Sequence, residues 1–370
     1  MALTSGKGTQ YMVLDMSSSN LKLAVGSHNS KTGIVSIDKV AVVPLEVDSV
    51  SDGQITDSFG VNMALKHAWA KLGINVKNCI ITTEGSFMHT RDLEIPQVAS
   101  NQIKDMVKFE LMGQANSKDM SVDYIVYGDA VDEETNAKKL KVRATAMPTD
   151  TITAFRDFLK DMEKVPVALD SNQNSIRKLF EGGIINGNVN VSQTTLLLIE
   201  LSGATTTVTI MDKGFPILTR RLQFGHNSIR QVAESMKKLQ GGDNQSSLAR
   251  RLNITKSDSE MTVDPTEVDL WHESLVDTPA LQSAANAYFK SLTDAVSRTA
   301  QFAISKFHID SISTCFLYGS GAGYKKIDKE LSSQLSTQVE VLNTLSTVQG
   351  PKDFMLPQFV NCCGALIRND

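Results

Sequence analysis

The chain has 370 residues and a formal net charge of −4. This balance excludes the strongly basic surface of a nucleic-acid-binding protein, and 41% hydrophobic with 21% charged residues is ordinary for a globular chain. The length exceeds what one compact core usually contains, so we expect two lobes.

The first predicted element is a β-hairpin near the amino terminus. An apolar strand over Tyr11–Met16 carries Asp15 close to its end, a turn of three serines follows, and a second apolar strand covers Leu21–Ser27. Successive backbone N–H groups in such a turn can face a phosphate. Small side chains favour this role, because a bulky one would hold the anion away from the amides.

Further strands and helices follow up to the middle of the chain. Strands are predicted at Ile34–Val43 and Cys79–Thr83, with an amphipathic helix over Val61–Leu72 between them. From Gly85 to Asp170 the order strand–helix–strand–strand–helix–strand is typical of a small α+β subdomain. The sequence therefore predicts an insertion in the first lobe.

The pattern of the first hairpin returns in the second half. Between Leu198 and Ile210 an apolar strand ends on Glu200, a turn of small residues follows, and a second apolar strand begins. When the two stretches are superimposed, Asp15 falls on Glu200 and Ser17 falls on Ser202. An internal duplication of this kind predicts two related halves that close around one ligand.

The remaining segments complete the second half. Glu181–Val191 is interpreted as an interlobe linker, and the polar region 240–278 as surface loops and short helices. A long helix is predicted over Ala284–Phe307, and a strand over Ser311–Leu317 runs into a glycine-rich junction. Leu356–Ala365 is predicted to be the closing helix.

The cysteines and the hydropathy pattern bear on location. The four cysteines follow no metal-ligand spacing, and the adjacent pair Cys362 and Cys363 lies in an apolar segment, which favours reduced thiols packed in a core. No apolar run approaches the ~20 residues that span a bilayer, and Met1–Gln10 lacks the apolar core of a signal peptide. We therefore expect a cytoplasmic protein.

Three features together carry a resemblance to a known family: the first hairpin, its duplicate, and the strand with a Gly-x-Gly junction near the end. They match the actin-like ATPase superfamily. Within it, the chain resembles the PilM family of type IV pilus assembly, which is related to the division protein FtsA. The matching segments, in order along nearly the whole chain, are Leu14–Lys22, Asp52–Ile55, Arg91–Pro96, Val122–Tyr124, Ala168–Asp170, Leu218–Arg221 and Phe316–Ala322.

The resemblance implies an α/β, actin-like/ribonuclease H-like two-lobed fold with a duplicated core and an inserted small α+β subdomain in the first lobe. The first lobe would comprise its core (1–84 and 166–192) and the inserted subdomain (85–165). The second lobe would comprise its core (193–225 and 301–342) and a variable subdomain (226–300). A C-terminal helix (343–370) would return to the first lobe.

The resemblance also implies ATP and Mg²⁺ between the lobes. Asp15 and Glu200 would serve the metal, the two turns would contact the phosphates, and the Gly-x-Gly junction would lie near the adenosine. The residues implied to contact the nucleotide are Ser17, Ser18, Ser19, Lys22, Ser202, Gly203, Ala204, Thr205, Gly319, Ser320, Gly321 and Ala322.

Lys22 and Asp170 each have two interpretations from the sequence. Lys22 is equally well a counter-charge for phosphate or a solvated strand residue. Asp170 is the candidate catalytic residue that would orient an attacking water, but the sequence favours it as the N-cap of the helix from Asn172 onward. The glycines of the junction suit a nucleotide-lining turn, but they also suit close packing between a strand and a helix.

The chain departs from the family pattern at the positions nearest the nucleotide. Ser17, Ser202 and Ser320 stand where the family has glycine, and each adds a Cβ where the backbone would approach the ligand. Glu200 replaces an aspartate and places its carboxylate one methylene further out. We therefore expect reduced nucleotide affinity and, at most, a weak ATPase.

The partner implied by the family is the cytoplasmic N-terminal peptide of a PilN-like membrane protein, gripped at the inner face of the cytoplasmic membrane. In our hypothesis, closure of the lobes on ATP reshapes a groove between the first-lobe core and the inserted subdomain, and the peptide adds to a sheet edge there. The segments Met88–Ile95 and Ser100–Gly113 are the expected places of contact. Other pilus-assembly components and a homo-oligomer are further candidate partners.

Three rival functions share this fold class. A small-molecule kinase would need a second substrate pocket with a general base, and the sequence shows no convincing one. An FtsA-like division protein would carry an amphipathic membrane-binding helix at its C-terminus, whereas this sequence ends in Ile367–Asp370. A type II secretion scaffold would continue into a transmembrane helix.

Overall fold

The computed structural model describes residues 8–16, 20–46, 48–112, 119–132, 134–229, 231, 235, 279–323, 327–335 and 337–368. The chain divides into two compact units. The smaller is Glu84–Glu163, and the larger is formed by Met1–Thr83 with Lys164–Asp370.

The strands and helices are numbered along the chain. The strands are β1 (Tyr11–Asp15), β2 (Asn20–Asn29), β3 (Ile34–Pro44), β4 (Val50–Ser51), β5 (Gln54–Ile55), β6 (Asn78–Thr83), β7 (His89–Pro96), β8 (Met120–Val131), β9 (Lys138–Pro148), β10 (Val165–Ser171), β11 (Ile184–Ile185), β12 (Val189–Asn190), β13 (Thr195–Leu201), β14 (Thr206–Asp212), β15 (Phe215–Leu222), β16 (Thr314–Tyr318), β17 (Gln338–Val341) and β18 (Val348–Gln349). The helices are α1 (Ser58–Leu72), α2 (Ser100–Met112), α3 (Thr149–Asp161), α4 (Asn172–Leu179), α5 (Pro279–Phe307), α6 (Ile327–Leu335) and α7 (Leu356–Leu366).

Two main sheets organise the larger unit, and they have the same topology. In the first, β3, β2 and β1 pair antiparallel and β6 and β10 continue in parallel. In the second, β15, β14 and β13 pair antiparallel and β16 and β17 continue in parallel. The duplicated hairpin of the sequence is thus part of a duplicated five-stranded sheet, and β18 extends the first sheet beyond β3.

One hydrophobic core joins the two sheets through α4 and α7. It contains Val13 from β1, Leu198 from β13, Ile176 from α4 and Phe359 from α7, all buried. Every residue of α7 is buried, as expected of a helix that packs between two sheets. The predicted closing helix therefore lies at the centre of the unit.

The other face of the second sheet packs against α5. Because side chains alternate along a strand, Leu197 and Ile199 of β13 point away from Leu198 and join Tyr288 and Leu292 of α5 in a second core. The continuous apolar run of β13 follows from this burial on both faces.

The smaller unit has a core of its own. Its three strands pair antiparallel in the order β7-β9-β8. Ile95 of β7, Val142 of β9 and Val107 of α2 are buried together. On the other face of the sheet, Arg143 makes a two-pronged ion pair with Asp92, with both nitrogen–oxygen distances at 2.7 Å.

Two local predictions need correction, and one lies outside the described residues. The segment predicted as a linker, Glu181–Val191, forms the ribbon β11–β12, and Ile185 is buried in the shared core. The strand predicted from Ser311 begins at Thr314. The region 240–278, predicted to form loops and short helices, is not among the residues that the structure describes.

Candidate functional site

Two acids, one from each lobe, converge on the same helix. Asp15 lies two residues after Val13, and Glu200 lies two residues after Leu198, so both side chains share the faces that pack on α7. Both acids are buried. The alternation of the two strands therefore aims the duplicated acids at one point between the sheets.

The point of convergence is Asn361 of α7. Its Nδ2 donates to Asp15 Oδ2 at 3.1 Å and to Glu200 Oε1 at 2.8 Å. Nothing in the sequence marked this residue, since a single amide in an apolar helix has no characteristic spacing. The structure brings the two predicted metal residues together through it.

Lys22 supplies a positive charge to the cluster formed by Asp15, Glu200 and Asn361. It lies directly opposite Asp15 on β2, and its Nζ is 3.8 Å from Asp15 Oδ2. The lysine is buried, so the interpretation as a solvated strand residue does not fit its environment. A buried ammonium next to a carboxylate suits a phosphate counter-charge and a structural ion pair equally well.

The surroundings of Glu200 shift the pKa of its carboxyl group. Burial raises the pKa of the Glu200 carboxyl above its usual range, and the nearby Asp15 acts in the same direction. Lys22, the hydrogen bond from Asn361 and Arg221 oppose that rise. A cation between the two carboxylates would relieve the repulsion between them.

Asp170 lies at the same end of the first sheet. Asp15 of β1 and Asp170 of β10 both align with Thr82 on β6, the strand between them, so the two acids are two strands apart, roughly 10 Å between Cα atoms. Thr82 lies between them and donates to Asn172 Oδ1 at 2.8 Å. Asp170 is thus near the cluster but outside it.

Both oxygens of Asp170 are engaged in hydrogen bonds. Oδ1 accepts from Ser171 N at 2.9 Å and from Asn174 Nδ2 at 2.8 Å. Oδ2 accepts from Lys178 Nζ at 2.6 Å. The interpretation of Asp170 as the N-cap needs correction: the cap of α4 is Ser171, whose Oγ accepts from Asn174 N at 3.1 Å.

The second predicted turn, Ser202–Thr205, is tight, and a hydrogen bond from Asn227 stabilises it. Ser202 N donates to Thr205 O at 3.1 Å, and Asn227 N donates to Gly203 O at 2.8 Å. A Cβ at Gly203 would lie 2.7 Å from Asn227 Oδ1, so the Asn227 side chain would have to shift to admit one. Among the described residues, the amides of Gly203, Ala204 and Thr205 have no acceptor, which leaves three successive donors for an anion.

The glycine-rich junction Gly319–Ala322 packs on the end of β13. Gly319 has φ +89°, and a Cβ there would lie 2.7 Å from Leu201 O. Ser320 Oγ is 3.0 Å from His226 Nε2, and Gly319 N donates to Pro357 O at 2.7 Å. Close packing between strand and helix thus explains Gly319 without a ligand.

A small cavity lies beside this junction. Its volume is about 10 Å³, and its lining includes Leu201, His226, Tyr288 and Gly321. Such a volume holds about one water molecule. Among the described residues, this cavity is too small for the adenine ring that the resemblance implies next to the junction.

The first predicted turn, formed by Ser17, Ser18 and Ser19, lies outside the described residues.

The lobes also meet at an ion pair that the sequence did not reveal. Arg221 Nη1 of β15 lies 2.8 Å from Asp52 Oδ1, in the turn between β4 and β5. Arg221 is two strands from Glu200 and in register with it, so this ion pair crosses between the lobes near the cluster.

The cluster can be tested for its fit to Mg²⁺. Mg²⁺ prefers oxygen ligands and is usually held by one or two carboxylates together with water and phosphate oxygens. Asp15 and Glu200 provide two carboxylates, and Asn361 Oδ1 is a buried oxygen without a hydrogen-bond partner among the described residues. No group of three His, Cys, Asp or Glu side chains occurs there, so a cation would also need amide, water or phosphate oxygens. This donor set fits Mg²⁺.

Comparison with known proteins shows which family model the chain matches and which solved structures it resembles. The family model described as type IV pilus assembly protein PilM matches residues 13–250. A search of solved structures matches a chain titled "PilM-PilN type IV pilus biogenesis complex" at 16% identity and a TM-score of 0.70, covering 97% of this chain and 98% of that one. The ethanolamine utilization protein EutJ from Carboxydothermus hydrogenoformans matches at 12% identity and a TM-score of 0.50, covering 97% and 89%.

The duplicated sheets and these similarities confirm the predicted actin-like α/β fold. In the part of the chain that the structure describes, none of the helices has the length and apolar character needed to cross a bilayer.

Proposed function

Because the chain belongs to the family of the type IV pilus assembly protein PilM, we propose that it is a cytoplasmic assembly protein of a type IV pilus complex at the inner face of the cytoplasmic membrane. It binds ATP with Mg²⁺ between its two lobes. It docks the N-terminal peptide of a PilN-like membrane protein. The observation that carries the nucleotide site is the convergence of Asp15 and Glu200 on Asn361.

The residues of the site have distinct roles in this proposal. Asp15 and Glu200 hold Mg²⁺, which when bound offsets the negative charge of the phosphates. The amides of Gly203–Thr205 donate to phosphate oxygens, and Lys22 adds a positive charge. Both oxygens of Asp170 already accept hydrogen bonds, and one of them is held by Lys178. Slow hydrolysis at most is therefore expected, with ATP acting as a structural or switching ligand.

The peptide-docking part of the proposal rests on the smaller unit. Its strand β7 pairs with β9 on one side, and among the described residues no strand pairs with its other edge. An open edge can accept an extended peptide through backbone hydrogen bonds. Support comes from the structural neighbour, which is a PilM-PilN complex.

Calorimetry of ATP with Mg²⁺ tests the nucleotide site. We expect micromolar binding by the wild type and loss of binding in Asp15→Ala, because the variant removes a buried carboxylate at the cation. Asp123→Ala, in the exposed edge strand β8 of the smaller unit, is the matched control and should bind like the wild type. If the wild type bound no ATP at millimolar concentration, the nucleotide part would be wrong and a peptide-binding scaffold would remain.

Fluorescence anisotropy with a labelled N-terminal PilN-like peptide tests the docking site. Arg91 is exposed on β7, so Arg91→Glu should weaken the peptide at least about tenfold if the peptide lies along this edge. Lys138→Glu, exposed at the start of the central strand β9, serves as the control for the change in net charge. Equal binding by both variants would place the peptide elsewhere.

A further inference from the structure

The helix α7 carries an amide where the two lobes meet. Asn361 is 2% exposed and lies in a helix whose other core-facing residues are mainly apolar, such as Phe359 and Cys362. Burying an amide in such a place costs free energy unless its hydrogen bonds are made. The buried amide therefore needs a hydrogen-bond partner for its nitrogen and another for its oxygen.

Only one side of the amide is satisfied. Nδ2 donates to both carboxylates, but Oδ1 has no hydrogen-bond partner among the described residues. The orientation is set by the acids, because the carboxylates of Asp15 and Glu200 accept and cannot donate when ionised. Turning the amide over would point Oδ1 at two negative oxygens, which is favourable only if a cation stands between them.

We propose that Asn361 is a direct ligand of the cation held by Asp15 and Glu200, and that its amide turns over when the cation binds. Without the cation, Nδ2 bridges the two carboxylates; with it, Oδ1 joins them as a third protein oxygen. This inference rests on the proposed function, since the cation is the one that accompanies the nucleotide.

As a ligand of the cation, Asn361 would connect the cation to the glycine-rich junction. Asn361 lies one turn of α7 after Pro357, whose carbonyl accepts the hydrogen bond of Gly319 N. One helix therefore contacts the acid of each lobe and the start of the junction. A turn of the Asn361 amide changes the bonds that hold the two lobes to α7.

An alternative role for Asn361 predicts the opposite effect on cation affinity. If Asn361 were only a bridge that holds the acids in the absence of a cation, it would compete with the cation. Removing it would release both carboxylates from the hydrogen bonds of Asn361 and would tighten cation binding. A ligand, by contrast, weakens binding when it is removed.

The test uses the full chain and Mn²⁺ alone, with free Mn²⁺ counted by electron paramagnetic resonance. The variants are Asn361→Leu, which has a similar volume but whose side chain has neither donor nor acceptor, and Asn361→Asp, which replaces the amide with a carboxylate that can bind a cation. Gln358→Leu is the matched control, because Gln358 is a buried amide on the same helix one turn earlier and does not contact the acids.

We expect Asn361→Leu to bind Mn²⁺ at least about tenfold more weakly than the wild type, within the range known for changes in the shell around a metal. Asn361→Asp should bind more tightly, and its thermal midpoint should fall in chelator and recover with Mn²⁺. Gln358→Leu should bind like the wild type. Equal or tighter binding by Asn361→Leu would overturn the proposal.

A measurement on the wild type covers the case in which the variants do not fold. In crystals grown with Mn²⁺, an anomalous peak should lie about 2 Å from Asn361 Oδ1, as expected for a small divalent cation. A peak at the acids without this contact, or no binding of Mn²⁺ to the wild type, would overturn the inference. Binding of ATP with Mg²⁺ in the same protein would then still support the proposed function.

Discussion

Asp170 and Lys178 form a buried ion pair at the edge of the first sheet. Lys178 Nζ lies 2.6 Å from Asp170 Oδ2, and both side chains are buried. Burial lowers the pKa of Lys178, and the charge and hydrogen bond of Asp170 oppose this effect. Lys178 also donates to Ile367 O at 2.8 Å, so the pair ties the end of α7 to β10.

Removing one partner of this pair should destabilise the protein strongly. We expect Asp170→Ala to lower the free energy of unfolding by about 3–5 kcal/mol, since it leaves a buried ammonium without its carboxylate. Asp170→Ala combined with Lys178→Met should recover most of that loss. Denaturant unfolding measures both. Asp92→Ala, which breaks an ion pair whose acid is 43% exposed, should cost less than about 1 kcal/mol.

The same double variant separates structure from catalysis. If Asp170 acts only through Lys178, any hydrolysis of ATP should be restored together with stability. If hydrolysis stayed lost in a stable double variant, Asp170 would be a catalytic residue after all.

The four cysteines should be inert in the folded protein. All are free and buried, and burial raises the pKa of the Cys79, Cys315 and Cys363 thiols well above their usual range. Because the thiolate is the reactive form, we expect no reaction with a chromogenic disulfide reagent at pH 8 and four reactive thiols in denaturant. Rapid reaction in the native state would contradict this packing.

Single residues show where sequence-based reasoning succeeds and where it stops. Asp15 and Glu200 were predicted as a pair because duplication repeats a local pattern. Asn361 was missed because its role depends on two strands that are 346 and 161 positions away in the chain. Gly319 had two interpretations from the sequence, a nucleotide-lining turn and close packing, and its positive φ and its distance from Leu201 O require glycine whether or not a nucleotide binds.

At the scale of elements, the contact between α4 and α7 is unusually close. A Cβ at Gly364 would lie 2.0 Å from Ser175 O, so the two helix backbones meet at this glycine. Side chains at the contact normally keep helix axes 8–10 Å apart, and glycine allows a closer approach.

Gly364→Ala should therefore force the two helices apart. We expect a loss of about 3 kcal/mol in the free energy of unfolding, at the upper end of what added core atoms usually cost. Gly182→Ala is the control, because a Cβ there would lie 3.6 Å from Ser192 Oγ, an ordinary contact. Thermal unfolding followed by circular dichroism compares the two. Equal midpoints would mean that α4 and α7 can separate at little cost.

The elements that the sequence predicted well are those with a long pattern of their own. The continuous apolar run of β13 and the helical period of α5 span enough residues to show such a pattern. β11 and β18 have two residues each, so they have no period, and their pairing depends on distant partners. The segment around β11 was therefore interpreted as a linker, although Ile185 is buried in the core.

At the scale of the whole molecule, the two lobes of the larger unit share one core around α4 and α7, and the second lobe has a further core between its sheet and α5. The duplicated sequence predicts two sheets, but it does not say that α7 packs between them, because an apolar helix fits any apolar face. The ion pair of Asp52 and Arg221 adds a second link between the lobes. Its partly exposed position makes its contribution to stability small, about 1 kcal/mol or less.

The difference between the two units leads to a prediction about isolated pieces. Residues 84–163 have a separate core around Val142 and Ala144, which α2 covers. Expressed alone, this piece should fold and unfold cooperatively, since a unit with its own core can in principle fold by itself. Val142→Asp should abolish that folding, because it buries a charge in the middle of the core.

The second lobe alone, residues 193–342, should behave differently. Without α4 and α7, its sheet would expose Leu196, Leu198 and Phe316, which are fully buried in the whole chain. An apolar face of this kind leads to aggregation. Dispersed amide resonances are therefore expected from 84–163, and aggregated or poorly dispersed material from 193–342. A soluble, cooperatively folded 193–342 would show that each lobe has a sufficient core of its own, and the central role assigned to α7 would be wrong.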